Sequence, residues 1–170
     1  MRMLEQIEQY IDSCIEAGDI YGASFSLITP KGINQYYHGK QGRDEFAVGL
    51  DPAMIYDLAS VTKVVGTTTR IFQLLSDHTI HLTDSVARSL PGFTHPEITI
   101  KNLLLHNSGL PADIDNLDKM QREDLIKAVY DAPLVTAPGT TYVYSDLGFI
   151  LLGWIIRCLL YTSPSPRDTR

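Results

Sequence analysis

Ser60 and Lys63 stand three residues apart in "LASVTK", where an apolar, helix-like run begins. A serine at a helix start is ordinarily a cap, its side-chain oxygen accepting from a free backbone N–H. The usual companion three residues later is Glu or Gln, which reaches back to the cap's own N–H. Lys63 instead puts a cation in the first turn, where the helix dipole disfavours it. Capping therefore accounts for Ser60 and leaves Lys63 without a reason. Chemistry supplies one. A serine hydroxyl is a weak nucleophile that needs a base nearby, and a lysine one turn on shares its helix face. That lysine could accept the hydroxyl proton if desolvation or neighbouring positive charge favours the neutral amine. The helix start adds N–H groups that can donate to an oxyanion forming on an acylated serine. As a bare pattern, S-x-x-K often arises by chance.

The elements around this pair follow from periodicity. In "MRMLEQIEQYIDSCIEAGDI", Leu4, Ile7, Ile11 and Ile15 recur at helical spacing, which predicts an amphipathic helix. The stretch lacks the uninterrupted apolar core of a signal peptide, so a cytoplasmic location is expected. "GASFSLITPKG" and "INQYYHGKQG" read as two strands of an antiparallel hairpin joined by a Pro-Lys-Gly turn. "SVTKVVGTTTRIFQLLSD" reads as a helix of modest propensity, given Gly66 and its threonines. A short helix in "SVARSLPGF" should end at Pro91-Gly92, and one in "TIKNLLLHNSGLP" at Gly109 and Pro111. "NLDKMQREDLIKAVYDAP" predicts an amphipathic helix and "SDLGFILLGWIIRCLL" an apolar one. The order is α+β: a helix, a hairpin and a mainly helical half. Two strands make a marginal sheet, so a further partner for the hairpin is expected. A partial domain is expected over residues 1–157. Residues 158–170, with no large apolar residue after Tyr161, are expected to be a disordered or foreign tail.

Composition narrows the partners. With 170 residues, 44% hydrophobic and 20% charged, the chain fits one globular domain or a large piece of a bigger one. A net charge of -6 and no lysine or arginine run argue against nucleic acid or an anionic membrane as partner. "LGFILLGWIIRCLL" is too short for a membrane span and carries Arg157. Cys14 and Cys158 have no metal-ligand spacing and are expected to be buried thiols. No cofactor or metal is expected, and nothing fixes the oligomeric state.

Several segments in register give the pair a context. "YDLASVTK" resembles the first motif of the serine β-lactamase and penicillin-binding protein superfamily, with its S-x-x-K signature. "PGTTYVYSDLGFILLG" resembles the second motif, in the Y-x-N form of class C β-lactamases and related esterases. "ITIKNLLLHNSGLP" is similar to the helix and loop between them. "GASFSLITPKG" looks like the family's first strand, and "IHLTDSVARSLPGF" like its segment after the nucleophile helix. The resemblance runs from about Tyr21 to Trp154. It implies a β-lactamase/transpeptidase-like α+β fold, with Ser60 as acylated nucleophile and Lys63 as its proton acceptor and orienting partner. Tyr144 would be the second-motif tyrosine, a phenolate or hydrogen-bond relay.

The chain departs from the pattern at Asp146, where Y-x-N has asparagine. An amide can donate to a substrate carbonyl, whereas a carboxylate only accepts. As a substrate-binding residue Asp146 thus disfavours a β-lactam's side-chain amide; it is free to pair with Lys63 or to cap the following helix. His106 is expected to shape a loop rather than take part in chemistry. The family's third motif, K-T-G or H-x-G, is not found after Tyr144, so an amino-terminal part of a longer enzyme is expected, inactive by itself. The resemblance implies a serine hydrolase forming an acyl-enzyme on an ester, a D-amino-acid peptide or amide, or a β-lactam. Esterase or peptidase action is favoured over β-lactamase action. The alternative is a non-catalytic binding or regulatory protein of the same fold.

Overall fold

The helical spacing of Leu4, Ile7, Ile11 and Ile15 produces α1 (Arg2–Ala17), with those four residues half-buried along one face. The computed structural model describes residues 2–116 and 119–160, with side chains from Leu4 onward. Of the expected tail, residues 161–170 lie outside the described residues, as do Leu117 and Asp118 of the helix expected over 116–133. Two units are distinguished, Met1–Asp57 and Leu58–Arg170.

In the first unit, β1 (Gly22–Thr29) and β2 (Gly32–Gly39) form the expected antiparallel hairpin, in register from Gly22↔Gly39 to Thr29↔Gly32. Along β1, half-buried Phe25 and Leu27 alternate with exposed Ser24, Ser26 and Ile28, the period of a strand covered on one face. Phe25 stacks on its cross-strand partner Tyr36 with ring centroids 4.8 Å apart. From α1, Asp12 lies 3.1 Å from Nδ1 of His38 on β2.

In the second unit the helix expected from Ser60 is divided. A wider, π-helical stretch spans Lys63–Thr68 and passes into α2 (Thr69–Ser76). The threonine run marks the junction: the Thr69 N–H reaches the carbonyl of Val64, and the Thr69 hydroxyl donates to the same oxygen at 3.1 Å. Short α3 (Val86–Ser89) is capped by Ser85, which accepts from Ala87 N–H at 3.2 Å, and stops before Pro91-Gly92 as expected. Next, α4 (Ile100–Leu104) opens with a reciprocal Thr99–Asn102 capping box. It ends before His106, earlier than Gly109, because the chain turns left-handed there. Then come α5 (Arg122–Tyr130) and α6 (Asp146–Leu160).

The apolar α6 supplies the centre of this unit. Leu147, Leu151, Leu152 and Ile155 are fully buried, packed with Ile71 of α2, Val86 of α3, Leu103 of α4 and Val129 of α5. Burying such side chains stabilises by about 1.5–3 kcal/mol each before entropy is counted. The helix runs through Leu160, three residues past the boundary expected at 157. Neither cysteine is a buried thiol. Cys14 is half-buried on α1, which faces a two-stranded sheet, and Cys158 is exposed on α6 beyond the last fully buried residue, Ile155. Among the described residues no helix is long and apolar enough to cross a membrane.

Candidate active site

The turn before the π-helical stretch delivers the nucleophile candidate. Ala59 has φ +41, a conformation that costs a side-chain-bearing residue about 1–3 kcal/mol. Ser60 follows it, exposed, and the Lys63 N–H closes back on the Ser60 carbonyl at 3.1 Å. That short turn stacks the two side chains, and Lys63 Nζ donates to Ser60 Oγ at 3.3 Å. Ser60 is therefore engaged with the lysine, and the residue at the cap of the stretch, Thr62, makes no side-chain cap bond.

The second half of the site arrives on the loop that leads into α6. Tyr144 comes beside this pair: its ring centroid lies 5.1 Å from Lys63 Nζ, and Ser60 and Lys63 are the groups that chiefly act on its phenol. Asp146, the first residue of α6, pairs with Lys63 at 2.8 Å. Of the two uses open to Asp146, the structure thus displays the ion pair. The cap belongs to Ser145, buried, whose Oγ accepts from Gly148 N–H at 3.4 Å and donates to the Pro111 carbonyl at 2.6 Å. Ser60, Lys63, Tyr144 and Asp146, dispersed over the sequence, are brought together.

This loop has little regular structure of its own and is held by the segment after α4. The N–H groups of Gly139, Val143 and Asp146 donate to the carbonyls of Asn107, His106 and Ala112 at 2.7, 2.8 and 2.9 Å. The Ser145 N–H donates to His106 Nδ1 at 3.0 Å. At Gly109, φ +83, a Cβ would stand 2.1 Å from the Thr136 carbonyl oxygen, so a side chain has no room where these segments meet. The sequence reading assigned His106 a loop-shaping part, and its bonds do that. Its ring contacts went unforeseen: it lies between Tyr144 and Phe149, with centroids 4.5 and 5.0 Å away. The aromatic residues of "YVYSDLGF" were the available signal.

The neighbours of Lys63 and Tyr144 set their charges. The hydrogen bond with Asp146 raises the Lys63 pKa above the ordinary lysine value; partial burial opposes this, and Tyr144 adds to the rise. The raised value keeps the amine an ammonium at neutral pH, placed to donate to Ser60 Oγ. The Tyr144 phenol is shifted the other way. Its bond with Ser60, then that with Lys63, lower its pKa, against burial and the charge of Asp146. His106 is held below the ordinary histidine value by burial first and by the Lys63 charge second, with Asp146 opposing. Among the described residues no three His, Cys, Asp or Glu side chains gather to hold a metal. A cavity of about 760 Å³ lined by Met120, Leu125 and Trp154 shares no residue with this cluster.

Comparison with known proteins places the fold. The family described as Beta-lactamase matches residues 7–160. The chain is 33% identical over 167 residues to Protein flp of Staphylococcus aureus (strain N315), covering 90% of this chain and 33% of that protein. It is 35% identical over 122 residues to a putative D-alanyl-D-alanine carboxypeptidase of Escherichia coli (strain K12), covering 60% of this chain and 27% of that protein. A class C beta lactamase crystal structure superposes with a TM-score of 0.79 at 19% identity, covering 93% of this chain and 45% of the other. The chain thus spans about a third or less of these curated relatives and under half of that solved structure, sharing its fold.

Proposed function

The chain belongs to the Beta-lactamase family, and from that premise we propose that the whole protein is a serine hydrolase working through an acyl-enzyme on Ser60. The observation that carries the reading is the bond from Lys63 Nζ to Ser60 Oγ, with the Tyr144 ring 5.1 Å from the same amine. Ser60 Oγ attacks the substrate carbonyl as its proton passes to Tyr144, whose phenolate the Lys63 charge stabilises. The tetrahedral adduct expels its leaving group, which takes that proton. Water then attacks the ester on Ser60, losing a proton to Tyr144, and Ser60 leaves with it.

The substrate is an ester or a D-amino-acid peptide or amide in preference to a β-lactam. Asp146 presents acceptor oxygens where an amide would donate to an acylamino side chain. The Escherichia coli relative, named for D-alanyl-D-alanine carboxypeptidase action, makes D-alanyl peptides the first substrates to test. Fluorophosphonate labelling separates this reading from that of a non-catalytic binding protein of the same fold. Labelling of the whole protein should vanish in Ser60→Ala and slow by about a hundredfold or more in Lys63→Ala, the scale of positioned acid–base help. Equal labelling of wild type and Ser60→Ala returns the non-catalytic alternative.

A further inference from the structure

His106 occupies the residue just past α4, where the Asn107 N–H donates to the Asn102 carbonyl at 3.0 Å and the His106 N–H to Leu103 at 3.2 Å. This paired helix ending requires a left-handed residue, most often glycine, and His106 sits there at φ +53. At the end of α2, His78 has the same bond pattern and φ +55, yet it is exposed. The His106 ring is instead layered between two aromatic rings, tilted 28° to each, with Tyr142 edge-on at 5.9 Å. Its carbonyl takes the Val143 N–H and its Nδ1 the Ser145 N–H, so both neighbours of Tyr144 hang on one residue whose ring also backs Tyr144.

We propose that His106 is a positioning residue for the reaction at Ser60: as a neutral imidazole carrying its proton on Nε2, it fixes the Val143–Ser145 backbone and holds the Tyr144 ring beside Lys63 and Ser60. The reaction named rests on the hydrolase reading above; the positioning does not. Accepting from Ser145 N–H requires an unprotonated Nδ1, which sets the tautomer. A proton added there would oppose two donors and put a second cation beside Lys63. The groups facing the ring are Lys63, Asp146, Tyr142 and Tyr144. Burial and Lys63 keep its pKa below the ordinary value, so the bond is present at neutral pH and lost as pH falls through the lowered value.

The test uses the whole protein with two variants that suit a left-handed backbone. His106→Gly removes ring and acceptor; His106→Asn restores an oxygen near the place of Nδ1. Tyrosine labelled with ¹³C, assigned through Tyr144→Phe, reports the phenol titration, and fluorophosphonate reports the acylation rate per titratable site. In His106→Gly the Tyr144 phenol should titrate closer to the ordinary tyrosine value, and labelling should slow about ten- to a hundredfold, the scale of a misplaced reacting group. His106→Asn should recover most of that loss. A merely structural role would lower stability and leave both readouts unchanged, and that result overturns the proposal. An Asn variant no better than Gly overturns the role given to Nδ1. The titration needs no turnover, so an unlabelled wild type removes the hydrolase reading alone, and Tyr144 still judges His106.

Discussion

Two helices end alike and fill the end differently. After α1, the Asp19 N–H donates to Cys14 and the Gly18 N–H to Ile15, both at 3.0 Å, with Gly18 at φ +77. After α4 the same pair of bonds closes around His106. A Cβ on Gly18 would meet nothing within 4 Å, so glycine serves the backbone and nothing more. At His106 the chain carries a side chain in a conformation that glycine adopts freely, and the ring takes up the site's aromatic stack. The two units differ in the same way. Apart from Ala47, the buried apolar residues described lie between Ile71 and Ile155, in the unit that holds Ser60. The hairpin leaves Ile28 and Ile33 74% and 66% exposed. Backbone patterns alone suffice to form a turn or hairpin; a site with three or four touching side chains needs the packed unit around it.

The sharpest way to break this comparison is to put a methyl group at two left-handed glycines. Gly18→Ala meets backbone strain only and should cost about 1–2 kcal/mol. Gly109→Ala adds a collision with the Thr136 carbonyl, and should cost about 2–5 kcal/mol as strain and overpacking combine. Because Gly109 anchors the segment that holds Tyr144, fluorophosphonate labelling should fall with it, whereas Gly18→Ala should leave labelling per folded molecule unchanged. Urea unfolding of the whole protein measures the first pair of numbers. Equal losses at the two positions would mean that the junction at Gly109 yields as readily as an open helix end.

Much of this arrangement was legible from the sequence. Period-2 and helical spacings located the hairpin, α1 and α6, and S-x-x-K with Y-x-D named four residues that the fold assembles. What escaped depends on contacts between segments distant in sequence. Nothing in "ASVTKVVGTT" states that Ala59 turns left-handed or that the helix widens before Thr69. The Lys63–Asp146 pair was one of two equal readings, because the two residues stand 83 apart (146 − 63) and only the fold brings the carboxylate to the amine. α6 is apolar on every side, so its pattern could not tell that Ser145 would cap it or that Cys158 would lie outside the buried face.

Asp146→Asn sharpens the electrostatic half of the comparison. In the proposed mechanism the working form has Tyr144 deprotonated and Lys63 protonated. Activity should therefore rise through the lowered tyrosine pKa and fall through the raised lysine pKa, with a plateau between them. Asp146 is the leading cause of the lysine rise and also opposes the tyrosine lowering. Its replacement should move the alkaline limb to lower pH and the acid limb the same way. The new amide can donate, so acylation by penicillins relative to simple esters should improve about three- to tenfold, the worth of one hydrogen bond. A pH–rate profile whose limbs stay in place would detach Asp146 from both ionisations, and an unchanged ratio would detach it from the substrate.

The smallest effect is expected at His78, which shares the backbone state of His106 without its surroundings. His78 is exposed at φ +55, so its side chain carries strain with no layered ring contact of the kind made by His106. Glycine there relieves that strain, while its greater freedom in the unfolded chain opposes the gain. The balance should leave His78→Gly more stable by about 0.5 kcal/mol, since glycine is favoured at this kind of helix ending. The acylation rate and the Tyr144 titration should not move. Measured beside His106→Gly, the variant removes the same side chain from the same backbone geometry, so any difference in those two readouts comes from what the ring touches. A His78→Gly protein that loses stability or slows at Ser60 would show that a histidine in this position matters for the helix end itself, and the contrast between the two ends would no longer single out the ring of His106.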